Sequence, residues 1–519
     1  MSRDLIIGVD AGTSVIKAVL FDADGRQLTV ASRPNKYETL PGGGVEQDLD
    51  RTWTETAACL RELAAGTPDL GRRLRAIGVT GQGDGTWLID AEGRPVGGGW
   101  LWLDSRAAGI VEEFDRSGAR ILVYRSTGCG MNACNQSAQL VWLKRHTPEL
   151  LERASTAFHC KDWLYFNLTG ERATDEAEGT FTFGDYRSRT YAGSVLEAIG
   201  IPELGRLLPP MRNGSRETRP LSEAAAEATG LPAGTPVALG FLDVVCTALG
   251  GGLYAPGRQV GASIVGSTGM HMRLFDSADR IELAAMPTGY TMPFPVPGTL
   301  AQMQSNMAAT LNIDWIVGLA CQASAALGHE VERRTALLAL DSKVLDAKPG
   351  AGIYHPYISS AGERGPFVDV NARAQLSGLD QSVGFVDVVR AVYEGLGLAA
   401  RDCYAAIGHR PEEIRVAGGA ARSRSLKKIL ASAVGSPVRE SSREEAGAAG
   451  VAMMAAVGTG LFPDMAEACA RWVDPLLGAT VEPDPKLVGL YDRLYPIYRE
   501  MHEQMHGSWA SLTAARENA

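Results

Sequence analysis

Leu5-Ile-Ile-Gly-Val-Asp-Ala-Gly-Thr-Ser14, followed by Val15-Ile-Lys-Ala-Val-Leu-Phe21, is the stretch on which the fold turns. Leu5 to Asp10 reads as a strand, Ala11 to Ser14 as a turn of small residues, and Val15 to Phe21 as a returning strand. Asp24-Gly25 then turns the chain into Arg26-Gln-Leu28. A turn built of Gly, Ser and Thr offers backbone N–H groups and hydroxyls to an anion with no side chain in the way. Near mid-chain the pattern returns. Val260 to Val265 is strand-like, Gly266-Ser-Thr-Gly269 is again a small-residue turn, and His271 to Phe275 resumes as a strand. The echo predicts two related α/β lobes, each opening on a phosphate-sized turn, with the boundary within 245–258. Two such turns would clamp the β- and γ-phosphates of ATP between them, and Asp10 would hold Mg²⁺ through waters. A single turn of this kind is usually an ordinary hairpin; the duplication and the preceding Asp10 favour the phosphate reading.

Working outward, helical stretches are expected at Thr52 to Ala65, Ala138 to Lys144 and Lys161 to Leu168, and strands at Ala76 to Thr80 and Thr86 to Ile89. Val237 to Phe241 reads as an apolar strand leading into Asp243. Later come a strand at Ile414 to Ala417, a turn at Gly418-Gly-Ala420, and helices after Ser423 and Glu444.

The composition narrows the class. The 519 residues are 45% hydrophobic and 21% charged, which is globular, and the 60 glycines suggest many tight backbone turns. A net charge of −10 argues against a nucleic-acid binder and against a polybasic membrane-surface protein. No GxxxxGK[ST] loop is present, and Gly81-Gln-Gly-Asp-Gly85 has the wrong spacing for a dinucleotide fingerprint. The first ten residues do not read as a secretory signal, and Ala446 to Phe462 reads as a buried helix rather than a membrane span. Eight scattered cysteines without a CxxC pair suggest reduced thiols in a cytoplasm, where the sequons at Asn135, Asn167 and Asn213 are without consequence. His502-Glu-Gln-Met-His506 matches the HExxH zinc pattern literally, but it lies near the chain's end with Glu517 as the sole downstream acidic ligand, so a polar terminal helix over Tyr491 to Ser508 is preferred.

Several of these segments, in order along almost the whole chain, resemble the FGGY family of carbohydrate kinases. They are Gly8 to Ser14, Gly78-Val-Thr-Gly-Gln82, Leu101-Trp-Leu-Asp-Ser-Arg106, Lys161-Asp-Trp-Leu164 with Thr174-Asp175, Gly362 to Arg373, Val416 to Ser423 and Ala446-Gly-Ala-Ala-Gly450. The resemblance implies two ribonuclease-H-like lobes of the actin/hexokinase/Hsp70 type with a cleft between them. Residues 1–249 would be the sugar- or polyol-binding lobe and 250–519 the nucleotide-binding lobe. It implies a cytoplasmic enzyme phosphorylating a small molecule with Mg–ATP, with no nucleic-acid or membrane partner. Members are commonly oligomers, so a homo-oligomer is compatible.

The same resemblance assigns Asp243 as the catalytic base, a role the chemistry of phosphoryl transfer to a hydroxyl requires of one carboxylate. Read without it, Asp243 fits a helix N-cap equally well. Gly83, Asp84, Trp102 and Asn135 fall in the substrate region. Asp84 would offer a short acceptor pair to polyol hydroxyls or else sit as a turn residue before Gly85, and Trp102 would line the site or pack in the core. Gly12, Thr13, Ser14, Gly266, Ser267 and Thr268 match the phosphate turns, and Gly418, Gly419 and Ser423 the adenosine segment. Gly418-Gly419 is also a natural strand-to-helix turn. Val244 and Gln139 depart from residues common at these places in the family, and Met270 stands where glycerol kinases use Phe, so the resemblance points away from glycerol and D-xylulose as substrates. The run Gln82 to Asp90 followed by Trp100 to Asp104 resembles family members acting on erythritol. L-Xylulose or L-ribulose is the alternative within the family, and a protein-binding ATPase the alternative outside it.

Overall fold

The computed structural model describes residues 3–408 and 410–517. The chain divides into two compact units. The first holds residues up to Pro256, then Phe275–Ala301 and Arg443–Leu476; the second holds Gly257–Leu274, Gln302–Ser442 and the chain from Leu477. The units are thus interleaved in sequence rather than contiguous halves.

The first unit is built on a six-stranded sheet. Leu5–Ala11 (β1) and Val15–Asp22 (β2) form the antiparallel hairpin expected from the opening stretch, and Gln27–Pro34 (β3) extends it. On the other side Leu74–Gly81 (β4) pairs parallel to β1. Pro236–Leu239 (β6) pairs parallel to β4, and the short Arg219–Pro220 (β5) closes the edge.

The second unit repeats this plan. Val260–Val265 (β7) and Gly269–Phe275 (β8) are its hairpin, with Leu300–Asn306 (β9) beside β8. Glu413–Ala417 (β10) pairs parallel to β7, Val438–Ser441 (β11) parallel to β10, and Leu477–Val481 (β12) antiparallel to β11. The orders β3-β2-β1-β4-β6-β5 and β9-β8-β7-β10-β11-β12 correspond, with Tyr290–Pro293 added beside β9 as a seventh strand of the second sheet, so the weak echo between the two small-residue turns marks a repeat of the sheet plan.

Side chains alternate across a strand, and here both faces of β1 are covered. Leu5, Ile7 and Val9 pack with Cys59, Leu60 and Leu63 of the helix Leu49–Gly66 (α1) in one continuous core. Each such fully buried side chain contributes about 1.5–3 kcal/mol. The other face carries glycines. A Cβ on Gly8 would collide with the Ala448 carbonyl oxygen, and one on Gly78 would sit 2.5 Å from that of Val451. The helix Ala446–Gly458 (α3) therefore lies with its backbone directly on the sheet. It is buried along its length, as its uniformly small and apolar sequence requires.

The same helix meets Asp243–Gly251 (α2) through glycine on both sides: Gly450 faces the Cys246 carbonyl and Gly250 that of Ala446. Gly450→Ala should cost about 3 kcal/mol, at the upper end of overpacking penalties, because the obstacle is backbone that cannot rotate away. Urea unfolding followed by circular dichroism measures this.

No helix among the described residues is long and apolar enough to cross a membrane, and no disulfide joins any of the eight cysteines. The terminal helix is longer than expected, Pro485–Glu517, and carries Pro496 inside it. His506 Nδ1 lies 2.6 Å from Asp369 Oδ2, and the His502 ring packs on Phe367, so both histidines of the HExxH match are engaged in holding this helix to the second unit.

Candidate active site

Asp243 is the first residue of α2. Leu242 stands at the cap position and no side chain caps the helix, so the N-cap alternative does not hold. The strand end that delivers Asp243 is fixed by Gly240 N–H donating to Val79 O (2.8 Å) and by Thr80 Oγ1 donating to Phe241 O (2.5 Å). Its carboxyl is pushed up to about 8, first by burial and then by the like charge of Asp10, with Glu178 and Asp84 adding, against the backbone N–H of Val244. Asp10, on β1, is pushed up to about 6 by burial, with Lys17 pulling down and Glu445 pushing up. Lys17 Nζ is 2.8 Å from Glu445 Oε2 at the start of α3. Gly447 in that helix has no Cβ for a reason: one there would collide with Asp10 Oδ2.

The first turn is tied into a polar chain. Trp102 Nε1–H donates to Thr13 Oγ1 (2.7 Å), Thr13 Oγ1 donates to Gln82 Oε1 (2.9 Å), and Gln82 Nε2 donates to Gln47 Oε1 (2.6 Å). Gln47 Nε2 returns to Thr13 O (2.8 Å), and Asn35 Nδ2 donates to Gly12 O (2.9 Å). Trp102 is half-buried and Ser14 exposed. With its hydroxyl bonded in both senses, Thr13 offers an anion its backbone rather than its side chain.

Asp84 has φ +56, a left-handed conformation rare outside glycine, and Gly85 follows at +80. Glu178, Asn135 and Tyr290 hold it. Its backbone N–H donates to Glu178 Oε1 (2.8 Å), Oδ1 accepts from Asn135 Nδ2 (2.6 Å), and Oδ2 accepts from Tyr290 OH (3.2 Å). Asn135 is buried and its Oδ1 accepts from Asn132 N–H (2.5 Å), so it orients Asp84. Gly83 leaves space for protein: a Cβ there would stand 2.7 Å from Leu242 Cδ1 and 3.1 Å from Glu178 Oε1. Gln139 is a buried core partner of Thr86 Oγ1 (2.7 Å) and of Leu101 O.

Behind Asp84 lies a cluster of buried charges. Lys161 Nζ is ion-paired to Glu178 Oε2, to Asp175 Oδ2 (2.7 Å) and to Asp162 Oδ1 (2.9 Å), with His159 Nδ1 3.2 Å from Asp162 Oδ2. Burial alone would neutralise Lys161, but the three carboxylates hold its ammonium well above the usual range. His159, Asp162 and Glu178 have ligand atoms close enough for a metal, yet the Lys161 ammonium already bonds both carboxylates.

In the second unit the Gly266–Thr268 turn is equally tied down. Gly266 N–H donates to Thr268 O (3.0 Å), Ala309 N–H donates to Ser267 O (2.7 Å), and the backbone N–H and hydroxyl of Thr310 donate to Gly266 O (2.9 Å each). Gly418 has φ +92 and lies against Val265 O, so this position admits only glycine. Ser423 caps the helix Arg424–Val434, accepting from Leu426 N–H and donating to Asp341 Oδ1 (2.5 Å).

The first unit thus gathers Asp10, Gly12, Thr13, Asp84, Trp102, Asn135 and Asp243, and the second Gly266, Ser267, Thr268, Gly418, Gly419 and Ser423. Sequence reasoning missed Glu178, Tyr290, Gln47 and Gly447. Glu178 had a signal in the neighbouring Lys161-Asp162 and Thr174-Asp175. Tyr290 had none, since it reaches Asp84 across 206 residues of sequence. Ala446–Gly450, one of the segments that carry the family resemblance, packs in the first unit with Gly447 against Asp10.

A repeated mixed sheet presenting a small-residue turn in each unit, with paired carboxylates on the first, defines a phosphotransferase of the sugar-kinase class. Residues 5–250 match the N-terminal domain, and 261–459 the C-terminal domain, of the FGGY family of carbohydrate kinases, and the chain belongs to that family. It is 49% identical over 513 residues to erythritol kinase of Brucella abortus, covering 99% of this chain and 98% of that one. Among solved structures, xylulose kinase from Rhodospirillum rubrum superposes with a TM-score of 0.87 at 27% identity, covering 98% of this chain and all of the other. Gluconate kinase from Lactobacillus acidophilus shares the fold, with a TM-score of 0.88 at 21% identity, covering 98% and 99%.

Proposed function

We propose that the chain transfers the γ-phosphoryl group of Mg–ATP to a hydroxyl of a small polyol, and that the polyol is erythritol. The observation that carries this is the pair Asp84 and Asp243. One is a carboxylate in a left-handed turn, held by Asn135 and Tyr290 at its oxygens and by Glu178 at its backbone N–H; the other is a carboxyl whose raised value of about 8 suits it to take a proton. Asp84 accepts from polyol hydroxyls and sets which hydroxyl faces Asp243. Asp243 removes that hydroxyl's proton as the oxygen attacks phosphorus. Trp102 lines the acceptor side, with Asn135 behind Asp84.

The donor set suits a hard cation. Asp10 and Asp243 repel one another, and Asp10 would hold a divalent ion whose charge would offset that repulsion and the charge of the phosphates. Asp10 would hold Mg²⁺ through waters. Gly12, Thr13 and Ser14 would meet the phosphates with backbone groups from the first turn, and Gly266, Ser267 and Thr268 from the second. Gly418, Gly419 and Ser423 would receive the adenosine. On this assignment residues 1–249 contribute the acceptor site and 250–519 most of the nucleotide site. The eight thiols fit a cytoplasmic enzyme.

ADP release with Mg–ATP is the test, against erythritol, threitol, glycerol, xylitol, D- and L-xylulose, L-ribulose and no acceptor. Erythritol should stimulate release most. Preference for a ketose replaces the substrate but keeps the mechanism; release independent of any acceptor ends the reading of Asp84 as an acceptor ligand.

A further inference from the structure

We propose that Glu178, anchored by Lys161, is the positioning residue that presents Asp84 to the acceptor. The proposal rests on the reading of Asp84 as a polyol ligand. Glu178 is buried in the helix Glu176–Phe183 and divides its carboxylate between two tasks. Oε2 meets the Lys161 ammonium, and Oε1 accepts the backbone N–H of Asp84 at 2.8 Å. The residue that needs holding is the one in a left-handed conformation, which an L-residue adopts at a cost unless its surroundings impose it.

Lys161 in turn cannot swing away. It is wholly buried and ion-paired also to Asp162 and Asp175, the latter accepting from the backbone N–H groups of Ala177 (2.7 Å) and Glu178 (3.2 Å). This locks the helix start that carries Glu178 to the ammonium it binds. Gly83 completes the arrangement, because any side chain there would press on Glu178 Oε1. The charge cluster is thus part of the acceptor site at one remove. Its acidic groups converge on the Lys161 ammonium, while Glu178 Oε1 fixes the turn.

The two ends of Glu178 can be tested separately. Glu178→Asp keeps the charge for Lys161 but withdraws the carboxylate by one methylene from Asp84. Glu178→Gln keeps an oxygen in reach of Asp84 but removes the charge from the cluster. In Glu178→Asp the polyol KM should rise at least ~10-fold with the Mg–ATP KM within about twofold, because only the acceptor turn loosens. Glu178→Gln should raise the polyol KM less than Glu178→Asp does, while lowering the thermal midpoint more. A polyol KM within about twofold of wild type in Glu178→Asp, or equal rises in both KM values, overturns the proposal. Asp84→Ala run beside them separates the two readings. If it raises the polyol KM and Glu178→Asp does not, only the positioning role fails; if neither does, Asp84 is not a polyol ligand.

Discussion

Asp243→Asn should lower kcat by ~10²–10⁴, the usual loss for a general base, with the polyol KM shifted only modestly. Asparagine keeps the shape and the helix start but cannot accept the proton. The wild-type enzyme should show kcat/KM rising with pH as Asp243 loses its proton, near its value of about 8 in the free enzyme, and the variant should lose that limb.

Stability gives a second readout with a definite sign. A carboxyl raised in the folded state holds its proton where the unfolded chain has released it. The group therefore favours the unfolded chain increasingly as pH rises from its unfolded value of 3.8 to about 8. Without nucleotide, Asp243→Asn should melt above wild type at pH 8, and the gap should shrink towards pH 4. Differential scanning calorimetry at the two pH values checks it. A near-normal kcat would remove Asp243 from the base role.

The second large effect is expected at Gly447, a residue with no functional group. The Cβ of Gly447→Ala would collide with Asp10 Oδ2 and push that carboxylate aside. The obstacle is the end of a side chain, so the fold can yield, and alanine's better helix propensity offsets part of the strain. Stability should stay within about 1 kcal/mol of wild type. Activity should not survive the displacement, since moving a catalytic group by about 1 Å can cost ~100-fold. The loss should appear in kcat and in the Mg–ATP KM, leaving the polyol KM nearly unchanged, which steady-state kinetics with each substrate varied would show. The contrast with Gly450→Ala, three residues along the same helix, separates an effect on the site from one on the core.

Local chemistry made much of the fold readable before the structure. The opening hairpin, the turn at Gly266 and the burial of Ala446–Gly458 follow from residue size and polarity over short windows, and the observed elements agree with them. The interleaving of the units was not readable, because no local signal says that a helix near residue 450 covers a sheet begun at residue 5. The site divides along the same line. Asp243, Asp84 and the turns stand in short motifs. Tyr290, Glu178 and Gly447 act through contacts between distant segments, and Gly83 and Thr13 acquire their meaning only from what their neighbours occupy.

The crossing of the chain between the units, after Pro256, Leu274, Ala301, Ser442 and Leu476, has a consequence for biosynthesis. The first sheet has all its strands once Leu239 has left the ribosome, but the helix that covers its glycine face ends at Gly458. At roughly 5–20 residues per second the nascent sheet waits on the order of 10–40 s with that face bare. During translation it is a bare apolar surface of the sort that chaperones bind, and a message truncated anywhere before this helix should yield an aggregating fragment rather than a half-enzyme.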